Sequence, residues 1–373
     1  MAKILNIISD TNIGGAGRSL LNYLTYGDRE RFSSAVVLPR GSALKKEVEA
    51  LGITVYEIDA MADKSMDLKA ILPLRRVIRE AAPDLVHTHG SMAGRIAARL
   101  EGKKVIYTKH CAFVPDGARA SFPARLAARV QDALFSDGVI AIGPSAKQTL
   151  MLEGIPAHKI SEMFNGVAPL RMPTAQERTA ARQEFGFDEN DFVVGMLARI
   201  EPYKGQTILF DAAQHLADEG RKIKLLIVGD GSDRENLLRR AERFAPGTAV
   251  FPGFMSDVQK ALWCMDLQVN ASTQSETSSL SLLEGMSLKL PAVVSDVGGN
   301  PYLIEDGKNG FVFPNRDAAA LGRCIARLMD DRALYDAMRQ SALEIYECRF
   351  TGKIYAGNIE AIYQTILKGT KRA

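Results

Sequence analysis

The sequence predicts an α/β protein built as two domains, each a parallel sheet covered by helices. Three observations predict it: short apolar runs alternate with helix-length amphipathic stretches, that series occurs twice, and 373 residues exceed what one ordinary core accommodates. The first series places strands at 3–9, 34–38, 53–57, 84–87, 104–108 and 138–142, with helices such as 16–26 and 71–81 between them. The second resumes at 191–198 and continues at 223–228, 248–251, 266–270, 291–295 and 311–313. Between the series, Gly166 to about Thr179 carries two prolines and no helical period, which places the hinge there. The expected domains are residues 1–170 and 171–352. A helix at 331–348 is followed by a break at Phe350-Thr351-Gly352 and a last helix over about 353–368.

Composition narrows the function classes. Hydrophobic content of 46% and charged content of 24%, without low-complexity segments or internal repeats, suit a soluble globular enzyme. The four cysteines lack C-x-x-C pairing, which argues against a zinc site or a secreted disulfide framework and reads as reduced thiols. The first apolar run is interrupted by Asn6 and is too short for a signal peptide, and no stretch approaches the roughly 18 apolar residues of a membrane-spanning helix. The expected location is the cytoplasm, with the inner face of the membrane as an option. The excess of Lys and Arg falls in residues 1–170, which fits an anionic partner such as a membrane surface or a phosphorylated acceptor, or a scatter of solvated lysines. No nucleic-acid partner is expected.

The motifs carry more. Asn12-Ile13-Gly14-Gly15-Ala16-Gly17-Arg18 follows the first strand and opens the first helix, so the backbone N–H groups near Gly15 can approach a ligand. It departs from a dinucleotide fingerprint, because the second strand ends Val37-Leu38-Pro39-Arg40 without an acidic residue, which disfavours a nicotinamide dehydrogenase. Arg199 and Lys204 flank a turn that Pro202 helps fix, and both can reach one anion; a pair of solvated loop cations is the plain alternative. Leaving-group charge on a diphosphate must be stabilised by a metal or by fixed cations and helix dipoles. No Asp-x-Asp occurs in the chain, which favours the metal-free solution. Glu276 and Glu284 bracket a helix start expected at Thr277 or Ser278, with Glu284 two turns in. Ser281-Leu282-Leu283-Glu284 also matches a capping box, which would make Glu284 structural. His110 follows the strand ending at Thr108, and His87 and His89 end another, at the edge where open α/β sheets bind ligands. Gly229-Asp230-Gly231 and Gly253-Phe254 are further strand-end turns. Phe113 to Phe135 holds Arg119, Arg125 and Arg129 among Phe122, Leu126, Val130 and Leu134, the pattern of a basic amphipathic helix that touches a membrane or simply packs.

Together, Arg199-x4-Lys204, Glu276-x7-Glu284 and Gly298-Gly299 resemble the donor site of the family-4 retaining glycosyltransferases. The resemblance covers nearly the whole chain and is most specific in residues 191–314. It implies the GT-B fold: two Rossmann-like domains facing each other across a cleft, the first binding the acceptor, the second binding a nucleotide diphosphate-sugar, and the segment 353–373 returning to the first. It implies that Glu276 faces the donor sugar's hydroxyls, Glu284 the ribose hydroxyls, and the backbone N–H groups of Ser278, Ser279 and Leu280 the sugar oxygens. Arg199, Lys204, Gly15 and Gly231 would serve the diphosphate, Phe254 would lie near the base, and His110 would orient the transferred sugar at the reacting centre. Arg18 and His89 are candidates for the acceptor side. The implied reaction transfers the sugar to an acceptor hydroxyl with retention and without metal or other cofactor, in cell-surface polysaccharide or glycolipid synthesis. A nucleotide-sugar epimerase and a catalytically silent nucleotide-sugar-binding scaffold are the alternatives. Thr277-Ser278-Ser279 stands where many relatives have glycines, and Tyr302 where an acidic residue is usual, so donor identity is left open.

Overall fold

The computed structural model describes residues 1–114 and 121–369; Arg119 and the last four positions of 353–373 lie outside them. The chain divides into two compact units, one of residues 1–167 with 351–373 and one of 168–350. The unit boundaries thus fall at 167 and 350, where the sequence pattern placed them at 170 and 352.

The first unit is a seven-stranded parallel sheet, β1 (Ala2–Ile8), β2 (Phe32–Pro39), β3 (Thr54–Ile58), β4 (Leu85–His89), β5 (Lys104–Lys109), β6 (Gly138–Ile142) and β7 (Ile160–Met163), in the order 3-2-1-4-5-6-7. Because alternate residues face opposite sides, Ile4 and Ile8 of β1 pack with Leu20 and Tyr23 of the helix Gly15–Tyr26, whereas Leu5 and Ile7 pack with Leu74 and Ile78 of the helix Leu68–Ala81. The last helix, Gly352–Lys368, joins the first of these layers through Tyr355, Ile359 and Tyr363, with Tyr363 edge-on to Tyr23 at 5.6 Å. Each such fully buried side chain contributes about 1.5–3 kcal/mol by removal from water. Its entry is fixed by Thr351, whose hydroxyl accepts from the Ile354 N–H, and by the Gly352 N–H donating to the Val167 carbonyl.

The second unit is a six-stranded parallel sheet, β8 (Val193–Leu197), β9 (Lys224–Val228), β10 (Ala249–Gly253), β11 (Leu267–Asn270), β12 (Ala292–Ser295) and β13 (Gly310–Phe313), ordered 10-9-8-11-12-13. Strand order reverses between β8 and β11, as it does between β1 and β4, and carboxyl ends at such reversals form ligand crevices. The helix Ala175–Glu184 begins inside the stretch read as lacking helical period; a capping box between Thr174 and Glu177 starts it. From that helix the buried Arg182 donates to the carbonyls of Asp188, Glu189 and Asp191 and to Asp266 Oδ2, which also accepts the Val193 N–H. This cross-brace pins the amino end of β8 and so the loop at its other end.

Candidate functional site

In the second unit the loops after β8 and β11 are tied together. Gly205 adopts φ of +78°, and a Cβ there would sit 2.0 Å from the Ala271 carbonyl oxygen, so only glycine lets the two loops close. The Thr273 N–H donates to the Tyr203 carbonyl at 2.8 Å, the Ile200 N–H donates to the Asp230 carbonyl in the Gly229-Asp230-Gly231 turn, and the Asp233 N–H donates back to the Ile200 carbonyl. Gly231 is required for that same approach, since its Cβ would lie 2.2 Å from the Ile200 carbonyl oxygen. Gly298 and Gly299 press against the next turn: the Gly299 N–H donates to the Glu276 carbonyl at 3.0 Å.

Within this frame Glu276 is 9% exposed, and its Oε2 accepts from Lys204 Nζ at 3.0 Å, Ser272 Oγ at 2.9 Å and Asn270 Nδ2 at 3.1 Å. Burial alone would push the carboxyl pKa up; the Lys204 charge and these donors outweigh it and hold the group below its ordinary value, so it is ionised at neutral pH. Asn270 and Ser272 were not among the residues singled out from the sequence. Their signal is that polar side chains stand at and just beyond the end of the strand Leu267–Asn270, at the carboxyl edge of the sheet.

Lys204 and Arg199 do not share one partner in the described contacts. Lys204 pairs with Glu276, while the exposed Arg199 donates to the Tyr203 hydroxyl at 2.9 Å. Both stand on the rim after β8. The helix expected from Thr277 or Ser278 begins at Leu280 and ends at Ser287, because Glu276 and Thr277 are engaged in the turn against Gly298 and Gly299. Glu284 is therefore the fifth helical residue rather than two turns in. Its capping-box reading fails: Ser281 lies inside the helix and its hydroxyl donates to the Leu197 carbonyl. The helix cap, Ser279, makes no capping bond from its side chain to a backbone N–H of the first turn, its hydroxyl instead meeting the Ser281 hydroxyl at 3.1 Å, and Ser278 is buried beside it. Phe254, just beyond β10, is exposed.

In the first unit Gly14 caps the helix at Gly15 without a side-chain bond, and a Cβ on Gly15 would meet nothing within 4 Å among the described residues. Arg18 lies one turn into that helix. The histidines form a chain across adjacent strands: His87 bonds the Tyr363 hydroxyl at 2.8 Å and the Thr108 hydroxyl at 2.7 Å, and His89 Nδ1 lies 3.1 Å from His110 Nε2. His89, a candidate for the acceptor side, is 2% exposed, and its contact is with His110 rather than with open surface.

Burial lowers all three histidine pKa values, His87 to about 3 and His110 to about 4, with His89 also well below the ordinary 6.5. The unfolded chain therefore binds more protons than the folded unit below pH 6.5, and stability present above that pH is lost as pH falls toward 4 and then 3. We predict that amide exchange protection in β4 and β5, corrected for intrinsic rates, declines over that window. Protection unchanged from pH 7 to 4 would contradict the neutral, buried assignment.

Among the described residues no group of three or more His, Cys, Asp or Glu side chains is placed to hold a metal ion, and no helix is long and apolar enough to cross a membrane.

Comparison with known proteins follows the same division. The family model "Glycosyltransferase Family 4" matches residues 13–171, and "Glycosyl transferases group 1" matches residues 177–344. The putative glycosyltransferase EpsD of Bacillus subtilis is 30% identical over 300 residues, covering 74% of this chain and 76% of that protein. The UDP-Gal:alpha-D-GlcNAc-diphosphoundecaprenol alpha-1,3-galactosyltransferase of Escherichia coli is 26% identical over 279 residues, 72% of each chain. Among solved structures, Anabaena Alr3699/HepE in complex with UDP and glucose superposes with a TM-score of 0.82 at 23% identity, covering 98% of this chain and all of that one. A glycosyltransferase from Rickettsia africae gives 0.84 at 19% identity, over 99% of this chain. The architecture is GT-B. The chain belongs to glycosyltransferase family 4, a glycosyltransferase whose second half is the group 1 transferase domain.

Proposed function

We propose that this glycosyltransferase takes its sugar from a nucleoside diphosphate-sugar, transfers it with retention to a carbohydrate or lipid-linked hydroxyl, and needs no metal. The single observation that carries the reading is the buried Lys204–Glu276 pair at the carboxyl edge of the β8/β11 reversal, beside a helix start that lacks a side-chain cap. A lysine ammonium has three N–H donors, and one goes to Glu276, which orients the cation without neutralising its reach toward a diphosphate oxygen. The free N–H groups of the first helical turn favour the same negative charge or the sugar's oxygens. Arg199 adds a second cation on the rim. Glu284, freed from the capping role, suits the ribose hydroxyls. That UDP accompanies the Anabaena protein makes UDP-sugars the first donors to test.

In the reaction the bond from the anomeric carbon to the diphosphate oxygen breaks as the acceptor oxygen bonds the same face, and the departing phosphate oxygen takes the acceptor's proton. Lys204 and Arg199 stabilise the charge that accumulates on the diphosphate. Glu276 remains a carboxylate and accepts hydrogen bonds from the sugar. Held ionised by Lys204, Ser272 and Asn270, it is a poor proton donor near neutral pH, which disfavours the epimerase alternative. Gly15, with open space where a side chain would be, suits close backbone approach to the donor, and His110 suits contact with the transferred sugar.

Incubation of UDP-glucose and UDP-galactose with a panel of glycosyl diphospholipid acceptors, in the presence of EDTA, tests this reading. We expect UDP release that requires acceptor and a product whose anomeric coupling matches the donor's. Release without acceptor, epimerised donor, or no release by any pair would each count against it.

A membrane-surface contact on the cytoplasmic side is the second part of the reading. On the helix Phe122–Phe135, Phe122, Leu126, Val130 and Leu134 recur every fourth residue and are 49% to 77% exposed, with exposed Arg125 and Arg129 alongside. Such a face gains by resting on an anionic lipid surface. Co-flotation with vesicles containing phosphatidylglycerol is expected, and Leu126→Glu together with Val130→Glu should abolish it; flotation unaffected by the double change would remove this helix as the contact.

A further inference from the structure

The histidine chain contains one atom with no account in the folding of the first unit. His89 is buried, and its Nε2 has no hydrogen-bond partner among the described residues, although its Nδ1 lies 3.1 Å from His110 Nε2. Two neutral imidazoles that share one such contact must divide the roles: one nitrogen carries the proton and the other accepts it. If His110 donated, His89 would carry its own proton on Nε2, and a buried N–H would face no acceptor. If His89 donates from Nδ1, Nε2 holds only a lone pair. An orphaned buried donor is the costlier of the two, and unpaired acceptors are tolerated more often.

We propose that His89 is a positioning residue that donates from Nδ1 to His110 Nε2 and thereby fixes His110 in the tautomer protonated on Nδ1. The His110 ring then carries a donor, not an acceptor, on Nδ1. The registry behind this is built into the sheet. β4 and β5 pair in parallel with His89 opposite Thr108, so that His110, two residues on, overhangs the His89 ring. The rings stack at a centroid distance of 5.4 Å with planes 28° apart. On its other side His89 lies 4.2 Å from the His87 ring, which Tyr363 and Thr108 hold by both nitrogens. His89 is thus clamped between a ring that cannot turn and the one it directs. Depression of all three pKa values by burial keeps the rings neutral, the state in which a tautomer has meaning.

The consequence for catalysis rests on the transferase reading; the tautomer itself does not, and that separates the two in one experiment. Protein labelled with 15N-histidine is examined by long-range 1H–15N correlation at pH 7.5, for wild type, His89→Gln and His89→Leu. A pyrrole-type shift at His110 Nδ1 and a pyridine-type shift at Nε2 are expected in wild type. They should persist in His89→Gln, whose amide supplies a replacement donor, and give way to the opposite tautomer in His89→Leu. The kcat of His89→Leu is expected to fall about tenfold, the worth of one ordinary hydrogen bond, with His89→Gln closer to wild type. A wild-type His110 protonated on Nε2 would overturn the proposal without needing either variant to fold. The expected tautomers with unchanged kcat in His89→Leu would keep the positioning role and count against His110 at the reacting centre.

Discussion

Replacing Lys204 with alanine is expected to lower kcat/KM by about two to three orders of magnitude, the range for removing one fixed donor aimed at developing charge. The effect has two separable parts. Glu276 would remain buried with its ionic partner gone, and breaking a buried pair costs about 3–5 kcal/mol. Replacing both partners avoids that penalty, so Lys204→Met with Glu276→Gln should regain most of the stability of the second unit while turnover stays low. Urea unfolding followed through Trp263, the only tryptophan in the chain and buried in the second unit, measures the first quantity, and donor turnover measures the second. Recovery of turnover in the double variant would make the pair a structural element.

Gly299→Ala is the other substitution with a large expected effect. A Cβ built there would lie 1.5 Å from the Thr277 carbonyl oxygen and 2.6 Å from its carbon, so the turn carrying Glu276 and the helix start at Leu280 must move. A backbone collision cannot be relieved by a rotamer, and a loss of about 3 kcal/mol, the upper end for overpacking, is expected together with loss of UDP binding. Gly322→Ala, in the helix Ala318–Asp330 of the same unit, meets nothing closer than 3.5 Å and should leave stability unchanged or raise it by about 1 kcal/mol. Trp263 fluorescence in urea reads both. Equal effects at the two glycines would show that the Gly298-Gly299 turn does not hold the site's shape.

Particular residues explain what could be read beforehand. Buried parallel strands are near-continuous apolar runs, so β6 and β9, and β1 despite Asn6, stand out from sequence nearly to the residue. β7 does not, because Ile160-Ser161-Glu162-Met163 is a short edge strand with a half-buried serine and an exposed glutamate at its centre. The start of the Leu280 helix is not legible in the sequence because Ser and Thr suit caps at 277, 278 and 279 alike, and only the Gly298-Gly299 turn, about twenty residues on, selects among them. Both halves of the Lys204–Glu276 pair were identified as motifs, but their contact depends on β8 lying beside β11, a fact of strand order rather than spacing. The histidine chain was hidden for the same reason. Period-two alternation puts His87 and His89 on one face, whereas the meeting of His89 with His110 requires β4 and β5 to be neighbours in register.

The most direct measurement is isothermal titration of UDP into the wild-type protein and the Lys204→Ala variant, each with and without EDTA. A metal-independent donor site built on Lys204 predicts that chelation leaves wild-type affinity unchanged and that the variant binds at least about tenfold more weakly, since hydrogen bonds to charged groups contribute about 1.5–3 kcal/mol. Binding abolished by EDTA, or the same affinity in wild type and variant, would contradict it.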